Sequence, residues 1–101
     1  MNILVYGLTR QRAYDRMDYI LGERKYKEID KVIKNLNTYV ITLKDGTMYQ
    51  AITINDSARG YRWQYAVIDS LINKRIVDEI ILPSFSQHDI FALEESYSFY
   101  D

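Results

Sequence analysis

The stretch Thr38–Ile54 limits what this chain can become more than any other. Two runs rich in β-formers flank Asp45-Gly46, a dipeptide that tolerates positive φ and favours a two-residue type I′ hairpin. Such a turn predicts pairing of Leu43 with Met48, Ile41 with Gln50 and Tyr39 with Ile52, which gathers mostly apolar residues on one face. Upstream, Asn2–Leu8 is a short apolar run that reads as a buried strand. Thr9 stands as an N-cap. Arg10–Leu21 then carries Ala13, Met17, Ile20 and Leu21 along one helical stripe, with Gly22 where a C′ glycine belongs. A strand feeding directly into a helix is half of a βαβ unit and favours a partly parallel sheet.

The remaining segments are less sharply patterned. Lys25–Leu36 places Ile29, Val32, Ile33 and Leu36 at helical spacing, which predicts a second helix. Asn55–Arg62 reads as a polar loop, Gln64–Ile68 as a short strand ending at Asp69, and Ser70–Arg75 as a brief helix. Ile80-Ile81-Leu82 reads as a buried strand stopped by Pro83. Phe85–Asp101 is weakly patterned, with one helix over Asp89–Glu95 and a frayed aromatic end. The expected fold is α/β: a small mixed sheet with a β-hairpin and two to three flanking helices over residues 1–84, then an acidic aromatic segment over 85–101.

Composition enters where it excludes classes. A chain of 101 residues has room for one core. It has no cysteine, so disulfides and thiolate metal sites are ruled out, and a small domain without staples fits a reducing compartment. The N-terminus lacks a basic region and a long apolar run, so the sequence reads as cytoplasmic. The net charge of −1 hides an asymmetry, because all 13 Lys and Arg lie at or before Arg75. The six acids after it, Asp78 to Asp101, have no basic companion. A basic body with an acidic end suits nucleic acid, or masks its own basic patch, or is an ordinary solvated surface.

Three motifs occur in order: ILVYGLTRQRAYDRM (Ile3–Met17), TYVITLKDGTMYQAIT (Thr38–Thr53) and SARGYRWQYAVID (Ser57–Asp69). Their order and spacing resemble the ATPase domain of phage terminase large subunits and, more loosely, helicase-like P-loop ATPases. The resemblance implies a truncated P-loop-like core in which a Thr-Arg strand opens to a helix, a hairpin follows, and an Arg-Gly loop leads into a Walker B strand. It aligns Asp69 with the Walker B aspartate that would hold Mg²⁺ through water. Phosphate chemistry in that family also needs a glycine-rich loop bearing Lys and Ser/Thr, and no such string occurs here. The family places a Glu directly after the Walker B aspartate, where this chain has Ser70. The scaffold is therefore expected to be non-catalytic, with Asp69 vestigial and no cofactor or metal.

Binding candidates follow from charge and ring chemistry. Arg12 and Arg16 share a helix face at i, i+4, and Arg10 lies at the helix start, where phosphate is favoured. These three make the best basic group, and a nucleic-acid-binding protein would use them with Lys25, Lys27 and Arg59. Arg59 and Arg62 beside Gly60 suit a phosphate-gripping loop or a solvated turn. Tyr61 and Trp63 suit stacking on bases, although a lone Trp more often packs in a core. Asp69 equally suits capping of the following helix. The single His88, beside Asp89, has no partners for a metal site or triad. Asp15 with Asp18, and Glu94 with Glu95, lack the convergence from separate strands that nuclease metals need. These features predict a phage-type accessory or inhibitor protein that binds a macromolecular partner such as a host or defence enzyme or a packaging component. A small nucleic-acid-binding protein and a subunit completing a split ATPase are the alternatives. A truncated core also leaves a sheet edge open for homo-oligomer formation.

Overall fold

In the computed structural model, residues 1–56, 63–84 and 97–101 are described. Strand β1 (Asn2–Gly7) runs into α1 (Arg10–Glu23) through Thr9, whose side chain accepts the Arg12 amide as an N-cap. The turn is tight because of Gly7. A Cβ there would lie 2.5 Å from both the Ala13 nitrogen and the Thr9 oxygen, so the helix start folds back over a position only glycine can occupy. The remaining strands are β2 (Ile29–Lys34), β3 (Tyr39–Leu43), β4 (Met48–Thr53), β5 (Tyr65–Asp69) and β6 (Tyr97–Tyr100). They form one mixed sheet in the order β2-β3-β4-β1-β5-β6.

β1 pairs in parallel with β4 on one side and β5 on the other, and β5 pairs in parallel with β6. β2, β3 and β4 are antiparallel neighbours. The central strand is buried on both faces, as a near-continuous apolar run requires. On one face Val5 packs with Met17 and Ile20 of α1 and with Tyr39, Ile41 and Tyr100. On the other, Leu4, Tyr6 and Ile68 pack with Trp63, Val77 and Ile81. The α/β mixed sheet with a hairpin and flanking helices is the architecture expected from the sequence.

Several local expectations are corrected. The helix α1 passes through Gly22 and closes at Arg24, whose amide donates to the Leu21 carbonyl at 3.2 Å. The segment read as a second helix is instead a short 3₁₀ turn, Tyr26–Glu28, followed by β2. The hairpin forms, but its register is one residue off the predicted one: Ile41 faces Tyr49 and Thr42 faces Met48. Among the described residues Gly46 alone has positive φ, +92°, and the Gly46 amide donates to the Leu43 carbonyl while Leu43 donates to Thr47. That is a three-residue loop, a type I turn closed by a left-handed glycine, in place of the type I′ turn. Ile80-Ile81-Leu82 is not a strand. It lies in a helical segment, α2, whose α turn (Lys74–Ile76) continues as a π turn (Val77–Ile81) and a 3₁₀ turn (Leu82–Ser84). The aromatic end is not frayed either: Tyr97–Tyr100 joins the same sheet as β6. The predicted helix over Asp89–Glu95 lies outside the described residues.

Candidate functional site

The chain leaves β1 toward the β4 side, through α1 and the hairpin, and later leaves β5 toward β6. The crevice at the carboxyl ends of β1 and β5 is therefore the topological switch point, where ligands of open α/β sheets bind. Asp69, the last residue of β5, occupies it and is fully buried. Its Oδ2 accepts from Arg12 Nε at 2.5 Å and from the Leu8 amide at 3.0 Å. Its Oδ1 accepts from Arg12 Nη2 at 2.7 Å and from the Leu71 amide at 3.0 Å. A carboxylate offers about four acceptor positions, and all of them are taken. Burial pushes the Asp69 carboxyl up, but the hydrogen bonds from Arg12, Leu8 and Leu71 outweigh it and hold it below the usual carboxylate range. The same bidentate contact raises Arg12 above its ordinary value.

This geometry places an internal anion at the β1–α1 junction, where a nucleotide-binding fold would seat a phosphate. No acceptor on Asp69 is left for a metal-bound water. Ser70, which stands where the terminase-like pattern has Glu, is a fastener: its amide donates to the Tyr100 carbonyl at 2.7 Å and its hydroxyl to Asp101 at 2.8 Å. Tyr100 in turn donates its hydroxyl to the Tyr6 carbonyl at 2.7 Å. The carboxyl end of the sheet is thus closed by side chains of β5, β6 and α1.

Beside this lock lies a cavity of about 220 Å³ lined by Arg12, Asp15, Arg16, Tyr19, Tyr100 and Asp101. The Arg16 guanidinium sits 4.4 Å from the Tyr19 ring centre and 5.2 Å from that of Tyr100. Its Nε is buried with no hydrogen-bond partner among the described residues. A larger cavity of about 650 Å³ opens at the start of α1, lined by Arg10, Gln11, Tyr14, Lys34, Asn35 and Leu36.

The sequence candidates therefore separate. Arg12 and Arg16 do share a face, but Arg12 is committed to Asp69 and Arg16 to two tyrosine rings. Arg10 is exposed at the rim of the larger cavity, and Lys25 and Lys27 are exposed on the turn before β2. Trp63 is 1% exposed within the core cluster of Leu4 and Tyr6, so its ring is not available to bases. Arg59, Gly60, Tyr61 and Arg62 lie outside the described residues, as do His88, Asp89, Glu94 and Glu95. Among the described residues no group of three His, Asp or Glu converges as a metal site, and no helix is long and apolar enough to cross a membrane. Tyr19 and Tyr100 were not singled out from the sequence. Tyr19 was findable, since it follows Arg16 by three residues on the same helix face. No family model matches the chain, and comparison with curated proteins and with solved structures finds no match. The resemblance to the terminase ATPase domain thus rests on the order and spacing of the sequence motifs.

Proposed function

We propose that this chain is a non-catalytic binding protein that acts by occupying a protein partner, as a phage-type inhibitor or accessory factor. The observation that carries the reading is the saturated Asp69 carboxylate. Asp69, the buried acid at the switch point, is spent on Arg12 and two backbone amides, so it holds neither Mg²⁺-bound water nor an attacking nucleophile. The motif order adds support, because it suggests an ATPase-like outline without a phosphate loop. The split-ATPase alternative needs Asp69 free, which its four donors oppose. The nucleic-acid alternative has fewer free arginines than the sequence suggested, with Arg12 and Arg16 both engaged.

Two measurements on the purified protein test the reading. With Mg²⁺ and ATP, phosphate release stays at the rate seen without protein, and turnover that disappears on Asp69→Ala overturns the proposal. Affinity capture from host cells recovers a protein that survives a high-salt wash. Recovery of nucleic acid alone, lost as salt rises by counterion release, replaces this reading with the nucleic-acid one.

A further inference from the structure

Arg12 and Arg16 stand one turn apart on the same face of α1, yet their donors meet different fates. Arg12 spends Nε and Nη2 on the two oxygens of Asp69. Arg16 has no such carboxylate. The ion pairs among the described residues take Arg12, Lys34 and Arg75, and none takes Arg16. Its Nε is buried with no hydrogen-bond partner among them. The guanidinium lies instead over the rings of Tyr19 and Tyr100, an attraction that uses its charge and leaves its N–H groups unspent. Buried polar groups are nearly always bonded, so an arginine fixed in place with idle donors is set up for an acceptor from outside.

The surroundings of Arg16 define that acceptor. Tyr100 is a fixed wall, 6% exposed and with its hydroxyl donating to the Tyr6 carbonyl at 2.7 Å. Tyr19, 54% exposed, is the open side. The cavity they line, about 220 Å³, is smaller than the roughly 300–1,000 Å³ of sites that hold a whole small-molecule ligand, and suits one inserted side chain. Of its two cations, Arg12 is neutralised by Asp69 and Arg16 is not. Its two acids are already drawn on, Asp15 by Gln11 Nε2 at 2.7 Å and Asp101 by the Ser70 hydroxyl at 2.8 Å. They still add negative potential, so one negative charge is accommodated and a dianion or a row of phosphates is not.

We propose that this cavity receives the carboxylate of one Asp or Glu side chain of a protein partner, with Arg16 as its donor and Tyr19 as the ring it packs against. The proposal rests on the reading of the chain as a protein-binding module and names where on that module the partner docks. Arginine and tyrosine are among the side chains that most often dominate protein interfaces. Here both are ordered before the partner arrives, so little side-chain freedom is lost on binding. A nucleic acid brings successive phosphates past Asp15 and Asp101, whereas a carboxylate brings a single charge.

Nuclear magnetic resonance of the full chain, read at the Arg16 side-chain N–H groups and the Tyr19 and Tyr100 rings, tests this with defined compounds. N-acetyl-glutamate N-methylamide moves these signals saturably, with a dissociation constant of about 10 mM or tighter. The matching glutamine compound, which lacks the charge, binds about tenfold more weakly or not at all. Arg16→Lys keeps the charge but loses the planar fork, and weakens the glutamate compound about fivefold. Asp15→Asn removes a repelling charge and tightens it about threefold. The wild-type comparison of glutamate with glutamine decides the matter even where Arg16→Lys fails to fold. Absent shifts, equal binding of the two compounds, or weaker binding by Asp15→Asn overturn the proposal. Dimethyl phosphate bound more tightly than the glutamate compound also overturns it, in favour of nucleic acid, and free succinate bound about tenfold more tightly does so in favour of a small metabolite. Failure here leaves captured protein and absent ATP turnover as they stand, so it removes this docking site and not the protein-binding reading.

Discussion

A carboxylate taken out of water costs several kcal/mol unless its acceptor positions are filled, and Asp69 survives at 0% exposure because they are. Arg12 supplies two of the four donors, so Arg12→Ala leaves a buried charge half-satisfied and costs about 3 kcal/mol in urea unfolding. The pH dependence has a definite sign. The folded-state pKa of Asp69 lies below its unfolded value of about 3.9, so its stabilisation is complete above that pH and is lost as pH falls through the folded value. Arg12→Ala removes much of the depression, and its acid unfolding limb moves to higher pH than that of the wild type. The sequence made part of this visible. Asp69 read as either a site acid or the cap of the following helix; Asn73 caps that helix instead, and the Asp69 bond to the Leu71 amide closes a local turn. Its bond to Arg12 joins positions far apart in the chain, and no local pattern announces it.

At the scale of elements, legibility followed burial. β1 and α1 were readable because each buries a definite stripe and Thr9 caps the junction. β2 was misread because an edge strand with little core contact keeps no period-two pattern, and Ile29, Val32, Ile33 and Leu36 happen to fit a helical spacing. Ile80-Ile81-Leu82 was misread because a short apolar run does not distinguish a strand from a buried helical turn. The hairpin's existence was legible but its register was not, since Asp45-Gly46 serves a three-residue loop as well as a two-residue one. Two glycines now carry opposite expectations. Gly22 lies in the last turn of α1 with open space where a Cβ would sit, so Gly22→Ala raises stability by about 0.5 kcal/mol. Gly46→Ala forces a side chain into φ +92° and lowers stability by about 1–2 kcal/mol. Thermal or urea midpoints of the two variants, run side by side, check both signs.

Across the whole molecule, two apolar layers sandwich one sheet, and tyrosines close the layer beneath α1. Burial, then its hydrogen bond to Asp18, pushes the Tyr39 phenol well above its ordinary value. Burial, then the charge of Asp69, does the same for Tyr100. A raised folded pKa gives stability that is complete below the unfolded value of about 10 and is lost as pH climbs toward the folded one. Urea midpoints measured from neutral to strongly alkaline pH should fall above about pH 10, and Tyr39→Phe with Tyr100→Phe should flatten that fall. The place of β1 in the sheet bears on how the molecule assembles. Ile3 is paired with Tyr49 on one side and Tyr65 on the other, so β1 gains its second neighbour only after Tyr65–Asp69 has been made. Such non-local parallel pairing slows folding and leaves an apolar strand waiting during translation. A nascent chain stalled before Tyr65 would hold β1 without its second neighbour, as a natural substrate for a chaperone.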